Sequence, residues 1–278
     1  VVDAVLVPLT ASAHSQRALP VARGLADQLG CPLHLVTSEH PSALADGDPM
    51  DRGWVEPLAD EHRISAGAMH HHVVDDPRTA IEAVAEELGE AAVCLTTRAR
   101  QGVAGALLGS TADAVVRTST RPTVLVGPTC ADAPPTRIAR LLAPVDDSPA
   151  AQAIIDPAAA WSRQLGVPLT LLHVAEPPRP RDADAPVPAD TQALMDRLHE
   201  RALALQQQGT DADWDVLTGY DPAARLVEHT AQDPTSLLAM ATHGRTGLAR
   251  MLLGSVTSAT VRRAPVPVLT LRPHAALT

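Results

Sequence analysis

From residue 241 the chain reads ATHGRTGLARMLLGS, between the apolar run LLAM and the helix-compatible segment VTSATVRRA. Gly244 leaves room for close backbone approach, and Gly254 and Ser255 precede a helix start that Ser255 can cap. The free amides and dipole of such a helix start attract phosphate, and Arg245 and Arg250 add positive charge. A second polar turn, PVDDS (144–148), follows another apolar run and offers Asp146 as an acceptor for a nucleoside hydroxyl or amino group. A Gly-Ser pair before a helix is, alone, as readily a cap as an anion cradle. Two such turns meeting at one end of a sheet favour ligand binding.

Several other chemistries are excluded. The chain has no lysine, so it can form neither a Walker-type phosphate loop nor a pyridoxal Schiff base, and it lacks the kinase lysine. A net charge of −10 argues against a nucleic-acid backbone as partner. Cys31, Cys94 and Cys130 lie far apart without CxxC spacing, which argues against zinc and against a disulfide framework. His70, His71 and His72 are consecutive in a strand-like run, and alternate side chains of a strand point to opposite faces, so they cannot converge on one metal. His243 beside Arg245 reads as a pair of phosphate-loop contacts rather than a catalytic pair, since no nucleophile and base stand together. The acidic runs near 46–51 and 182–190 read as solvated loops. With no apolar run of about 18 residues and no charged leader before VVDAVLVPLT, the expectation is a soluble cytoplasmic chain with no membrane partner.

The elements that would hold these turns occur twice. VVDAVLVPLTASAHSQRALP aligns with ARLLAPVDDSPAAQAIIDPA at an offset of 136, pairing Pro8 with Pro144, Ser12 with Ser148 and Gly30 with Gly166. Further on the offset becomes 145, RARQGVAGALLGST pairs with HGRTGLARMLLGSV, and the identities between Thr97 and Pro122 include Gly102, Leu107, Leu108, Gly109, Ser110 and Arg117. The second copy therefore carries nine extra residues, assigned to the Pro-rich stretch 176–190, which reads as a mobile excursion. The Pro-rich segment 127–137 marks the boundary, giving domains 1–128 and 137–273 joined by a linker at 129–136.

In each copy short aliphatic runs alternate with amphipathic helices, the pattern of a parallel sheet covered on both faces. With aromatics at only 1%, the cores must be aliphatic, with Trp161 placed among them. Pro20 and Pro157 fall inside the first helix of each copy and should kink or split it. For five strands ordered 3-2-1-4-5, the turns after strands 1 and 4 meet at the switch point where ligands bind.

With PVDDS after strand 1, LLHVAE at strand 2, and LLAMATHGRTG then LLGSV at strand 4, the second copy resembles a universal stress protein domain. The whole chain resembles a tandem member of that family. The resemblance implies two Rossmann-like (adenine nucleotide alpha hydrolase-like) α/β domains, each a five-stranded parallel sheet in the order 3-2-1-4-5 with helices on both faces. It also implies a stress-response regulator that binds ATP, with Mg accompanying it, and hydrolyses it slowly at most. Nucleotide-binding members of the family carry glycine, two residues, glycine, nine residues, then glycine and serine or threonine. Here those places hold Ala241, Gly244, Gly254 and Ser255, so the first glycine is replaced. By resemblance Pro144 lies under the base, Asp146 contacts the nucleoside and the Val174 backbone contacts adenine. Met240, Ala241, Thr242, His243, Gly244, Arg245 and Thr246 would wrap ribose and phosphates together with Gly254, Ser255 and Val256. Asp147 adds a second carboxylate where the family often has glycine.

The first copy departs further. Thr10 replaces the strand-1 aspartate, Thr96 and Ala99 replace the leading glycines, and Gly109-Ser110 survives. An alanine forced into left-handed φ costs about 1 to 2 kcal/mol, and a β-branched residue at 96 should fill ligand space. The expectation is a copy that binds nucleotide weakly or not at all and serves as a structural partner. In the family the fifth strands of two domains commonly pair, and segments 122–126 and 266–271 could do so within one chain, removing two exposed edges. Further pairing of chains into a homodimer is compatible with this. The alternative reading is a nucleotide-free interaction module of the same fold. An adenylyltransferase is disfavoured because no HIGH-type motif is present.

Overall fold

The computed structural model describes residues 1–42, 53–98, 108–131, 137–146, 148–177, 189–242 and 253–272. In the first copy the chain runs β1 (Ala4–Leu9), α1 (Ala13–Gln16), α2 (Ala18–Leu29), β2 (Leu33–Glu39), α3 (Val55–Glu61), β3 (Met69–Val73), α4 (Pro77–Glu87), β4 (Ala91–Thr96), α5 (Ser110–Thr118) and β5 (Thr123–Val126). The second copy gives β6 (Arg140–Pro144), α6 (Pro149–Ala153), α7 (Ile155–Leu165), β7 (Leu169–Ala175), α8 (Ala189–Gln207), β8 (Ala212–Thr218), α9 (Pro222–Ala231), β9 (Ser236–Ala241), α10 (Ser255–Arg263) and β10 (Val268–Leu271). Most of the 176–190 excursion and part of the 129–136 linker lie outside the described residues.

One sheet runs through both copies in the order β3-β2-β1-β4-β5-β10-β9-β6-β7-β8. Each half is parallel, and β5 meets β10 antiparallel with Val124 opposite Leu269. Registers repeat with the sequence: Val5 lies beside Leu33 as Leu141 lies beside Leu169, and Val93 beside Thr123 as Leu238 lies beside Val268. The two-residue period of a strand sends Val5, Val7 and Leu9 into one core layer and Leu6 into the other. The first layer is covered by α2, α3, α7 and α8 and contains Trp161, which is nearly buried. The second layer is covered by α4, α5, α9 and α10. Side chains with no polar atoms suit strands buried on both faces, which is why the runs are nearly all Val, Leu, Ile and Ala.

The first helix of each copy is split, and the break lies upstream of the proline. Pro20 is the third residue of α2 and Pro157 the third of α7. In a helix's first turn the missing N–H has no intrahelical acceptor to lose, so proline is tolerated there and the interruption falls one turn earlier. The short leading helices are capped alike, Ser15 N–H donating to Ser12 Oγ and Ala151 N–H to Ser148 Oγ. Gly30 and Gly166 close α2 and α7 at φ of 69° and 66°, a conformation in which glycine carries no Cβ penalty.

The seam between the copies has side-chain locks as well as strand pairing. The Gln28 carboxamide donates to the carbonyls of Ile138 and Leu165, both at 2.9 Å, and accepts from Ile138 N–H at 3.0 Å. Gln164 donates to Val2 O at 2.6 Å and accepts from Val2 N–H at 2.8 Å. The offset of 136 carries Gln28 onto Gln164 and Val2 onto Ile138, so the clamp is reciprocal, as across a two-fold interface. On the other layer, Arg272 donates to the carbonyls of Val116 and Arg117 at the end of α5. Its counterpart Gly127 lies so close to the Val261 carbonyl that a Cβ would stand 2.2 Å from that oxygen. Among the described residues, no helix is long and apolar enough to cross a membrane.

Candidate functional site

In the second copy β6 and β9 are adjacent parallel strands, with Leu141 beside Leu237, so the chain leaves both at the same end of the sheet. Pro144 ends β6, and Val145 N–H continues the ladder to Leu172 O at 2.7 Å. Asp146 comes next and is half-buried; its Oδ1 accepts from Ser148 N–H at 3.0 Å, and its carbonyl accepts from Gln152 Nε2 at 2.9 Å. Carboxylate and turn are thus fixed together by an Asx-type turn that leads into the α6 cap. Oδ2 has no hydrogen-bond partner among the described residues.

Across this end lies the start of α10. Thr257 Oγ1 donates to Ala241 O at 3.1 Å, tying the first turn of α10 to the last residue of β9. Thr242 N–H donates to Leu271 O at 3.1 Å, anchoring the exit from β9 to β10. The helix begins one residue earlier than the sequence implies: Gly254 is the cap, with no side-chain capping bond, and Ser255 is the first helical residue. A glycine cap offers no side-chain oxygen, so the first amides of α10, those of Ser255 and Val256 among them, lack an intrahelical acceptor. Ser255 and Val256 are exposed at this end. Met240 is buried within the core and Val174, on β7, packs at its margin.

Of the site expected from the sequence, Pro144, Asp146, Val174, Met240, Ala241, Thr242, Gly254, Ser255 and Val256 are described, and Asp146, Ala241, Thr242 and the head of α10 come to one end of the sheet. His243, Gly244, Arg245 and Thr246 lie outside the described residues, as do Asp147 and Arg250.

The histidine run behaves as strand geometry requires. His70 Nε2 lies 3.1 Å from His34 Nδ1 with the rings stacked, while His71 turns the other way, to Thr37 Oγ1 at 3.0 Å and Glu39 at 3.8 Å. Among the described residues, no cluster of His, Cys, Asp or Glu could hold a metal ion. Burial, the larger cause, and the neighbouring His70 hold His34 below the ordinary histidine value.

The first copy has a cavity of its own. At the counterpart position, between the ends of β1 and β4 and the start of α5, there is a cavity of about 290 Å³. Thr96 lines this cavity without closing it. Ala99 lies outside the described residues. Sequence reasoning also passed over His14 and Arg98, both of which line the cavity. The signal was available in the duplication, since His14 stands where the second copy has Ala150.

The model of the universal stress protein family matches the chain twice, over residues 2–127 and 138–272. The chain belongs to the universal stress protein family. Universal stress protein Rv2005c of Mycobacterium tuberculosis is 30% identical over 187 residues, covering 65% of this chain and 61% of the relative. Universal stress protein Rv1996 of the same organism is 31% identical over 192 residues, covering 66% and 59%. The matches thus span about three fifths of these universal stress proteins' own length. The crystal structure of a universal stress protein from Archaeoglobus fulgidus superposes with a TM-score of 0.64 at 19% identity, covering 97% of this chain and 98% of that one. A putative universal stress protein from Pseudomonas aeruginosa gives 0.62 at 20% identity, covering 98% and 94%. These likenesses extend over both copies and concern the fold.

Proposed function

We propose that this tandem universal stress protein is a stress-response regulator that binds ATP or a related adenine nucleotide at one site per chain, in its second copy. The observation that carries the reading is the meeting of the Asp146 turn and the glycine-capped start of α10 across adjacent strands β6 and β9. A fixed carboxylate with one oxygen unengaged among the described residues suits the nucleoside end of such a ligand. A helix start with free amides suits its phosphates. Both ends therefore fit an adenine nucleotide. Pro144, Asp146 and Val174 would hold the nucleoside. Segment 240–246 with Gly254, Ser255 and Val256 would hold ribose and phosphates, Mg accompanying them. Binding here serves regulation rather than turnover, with hydrolysis slow at most.

A second reading, a nucleotide-free module working through its interfaces, has the reciprocal Gln28 and Gln164 clamp in its favour. Mass spectrometry of small molecules released by denaturing the freshly purified chain separates the two. An adenine nucleotide released by the native chain and absent from Asp146→Ala supports the first reading; release at equal level from both would overturn the assignment of the site.

A further inference from the structure

The first copy has a cavity beside its first turn, and that turn differs in chemistry from its counterpart in the second copy. Where the second copy places Asp146 and Ala150, the first has Thr10 and His14, so the turn loses a carboxylate and gains an imidazole. The Thr10 hydroxyl lies 2.9 Å from Ser12 Oγ and donates to Ser15 Oγ at 3.1 Å, and Ser15 Oγ donates to Thr10 O at 2.8 Å. These hydroxyls hold the turn closed on itself and leave no anionic acceptor for a nucleoside. His14 Nε2 is buried without a hydrogen-bond partner among the described residues. Opposite, Arg98 N–H donates to Leu108 O at 2.8 Å, which seats this residue beside Gly109 and the start of α5. Gly109 has φ of 103°, where a side chain would be strained.

Both His14 and Arg98 line the cavity, and no acidic residue does among the described residues. The ring is kept below the ordinary histidine value first by burial, then by Arg98 and Arg17, so positive potential gathers here in a chain of net charge −10. The floor is apolar, formed by Pro8, Val36, Ile81 and Leu95. At about 290 Å³ the space lies at the low end for small-molecule pockets, which run from about 300 to 1,000 Å³.

We propose that the first copy holds its own binding site for a small organic anion, distinct in chemistry from the nucleotide site. The phosphate or carboxylate head lies between His14, Arg98 and the start of α5, and a short apolar body lies on the floor. The assignment stands whether or not the second copy binds nucleotide.

Nuclear magnetic resonance titration of the full chain with phenyl phosphate, benzoate and neutral benzyl alcohol tests it. Phenyl phosphate or benzoate should shift the Ile81 methyl and Ser110 amide signals saturably, and the stronger of the two identifies the head group. Benzyl alcohol should not. The double variant His14→Ala/Arg98→Ala should weaken the better anion about tenfold or more, as loss of charge-assisted bonds implies. Thr10→Asp, which returns a carboxylate to the turn, should weaken it likewise, with the melting temperature serving as fold control for both variants. Saturating ATP should leave the Ile81 shifts in place. No saturable shift at millimolar anion, equal binding of the alcohol, indifference to both variants, or displacement by ATP would each overturn the proposal.

Discussion

Replacing Gln28 by alanine should cost the chain about 3 kcal/mol of stability. The carboxamide makes three hydrogen bonds to the other copy, to Ile138 N–H, Ile138 O and Leu165 O, at 2.9 to 3.0 Å and partly shielded from water. A net contribution of about 1 kcal/mol per bond gives the figure, and backbone groups left without partners push it upward. Gln164→Ala loses two such bonds, to Val2 N–H and Val2 O, and should cost about 2 kcal/mol. Gln28→Glu should exceed Gln28→Ala, because an ionised carboxylate cannot donate and would face two carbonyls. Gln192→Ala is the control: its bond to Asp196 is exposed and within one helix, worth about 0.5 kcal/mol or less. Urea unfolding followed by circular dichroism reads all four from midpoint and slope. A loss below about 0.5 kcal/mol for Gln28→Ala, the size of an ordinary surface change, would refute the view that the reciprocal clamp locks the copies.

Two further outcomes follow from the seam and from the histidine pair. Gly127→Ala should lower stability by about 1 to 3 kcal/mol, since the new methyl meets the backbone Val261 carbonyl at 2.2 Å. Gly67→Ala, with nothing within 4 Å, should not, and thermal melting compares the two. Burial, the larger cause in both, keeps His34 and His70 below the ordinary value of 6.5. A base with a lowered folded pKa binds fewer protons folded than unfolded, so its contribution is complete above pH 6.5 and declines as pH falls through 6.5 towards the folded values. His34→Gln/His70→Gln should flatten that part of the stability curve, and an unaltered slope would contradict the assignment.

The middle of the sheet could be read from the sequence because its inner strands are buried on both faces and therefore written as uninterrupted aliphatic runs, such as AVLVPL and AVCLTT. The duplication carried the reading from one copy to the other, and the repeated registers follow it residue for residue. The helix breaks before Pro20 and Pro157 were visible as violations, while their exact place depended on where each first turn begins. Ser255 could not be separated from Gly254 as the cap, because both residue types are common there and only the backbone decides. The cavity of the first copy was hidden for a different reason. Thr10 and Thr96 read as losses of family letters, and although the duplication sets His14 against Ala150, that His14 and Arg98 share one cavity shows only when β1, β4 and α5 bring them together. Gln28 and Gln164 were equally silent, since a glutamine on a helix carries no sign of a partner more than a hundred residues away.

Titration calorimetry of the intact chain with ATP in the presence of Mg tests the central claim most directly. The account predicts a stoichiometry near one per chain, abolished by Asp146→Ala and retained by Thr10→Ala. Two equivalent sites per chain, or binding untouched by Asp146→Ala, would contradict it.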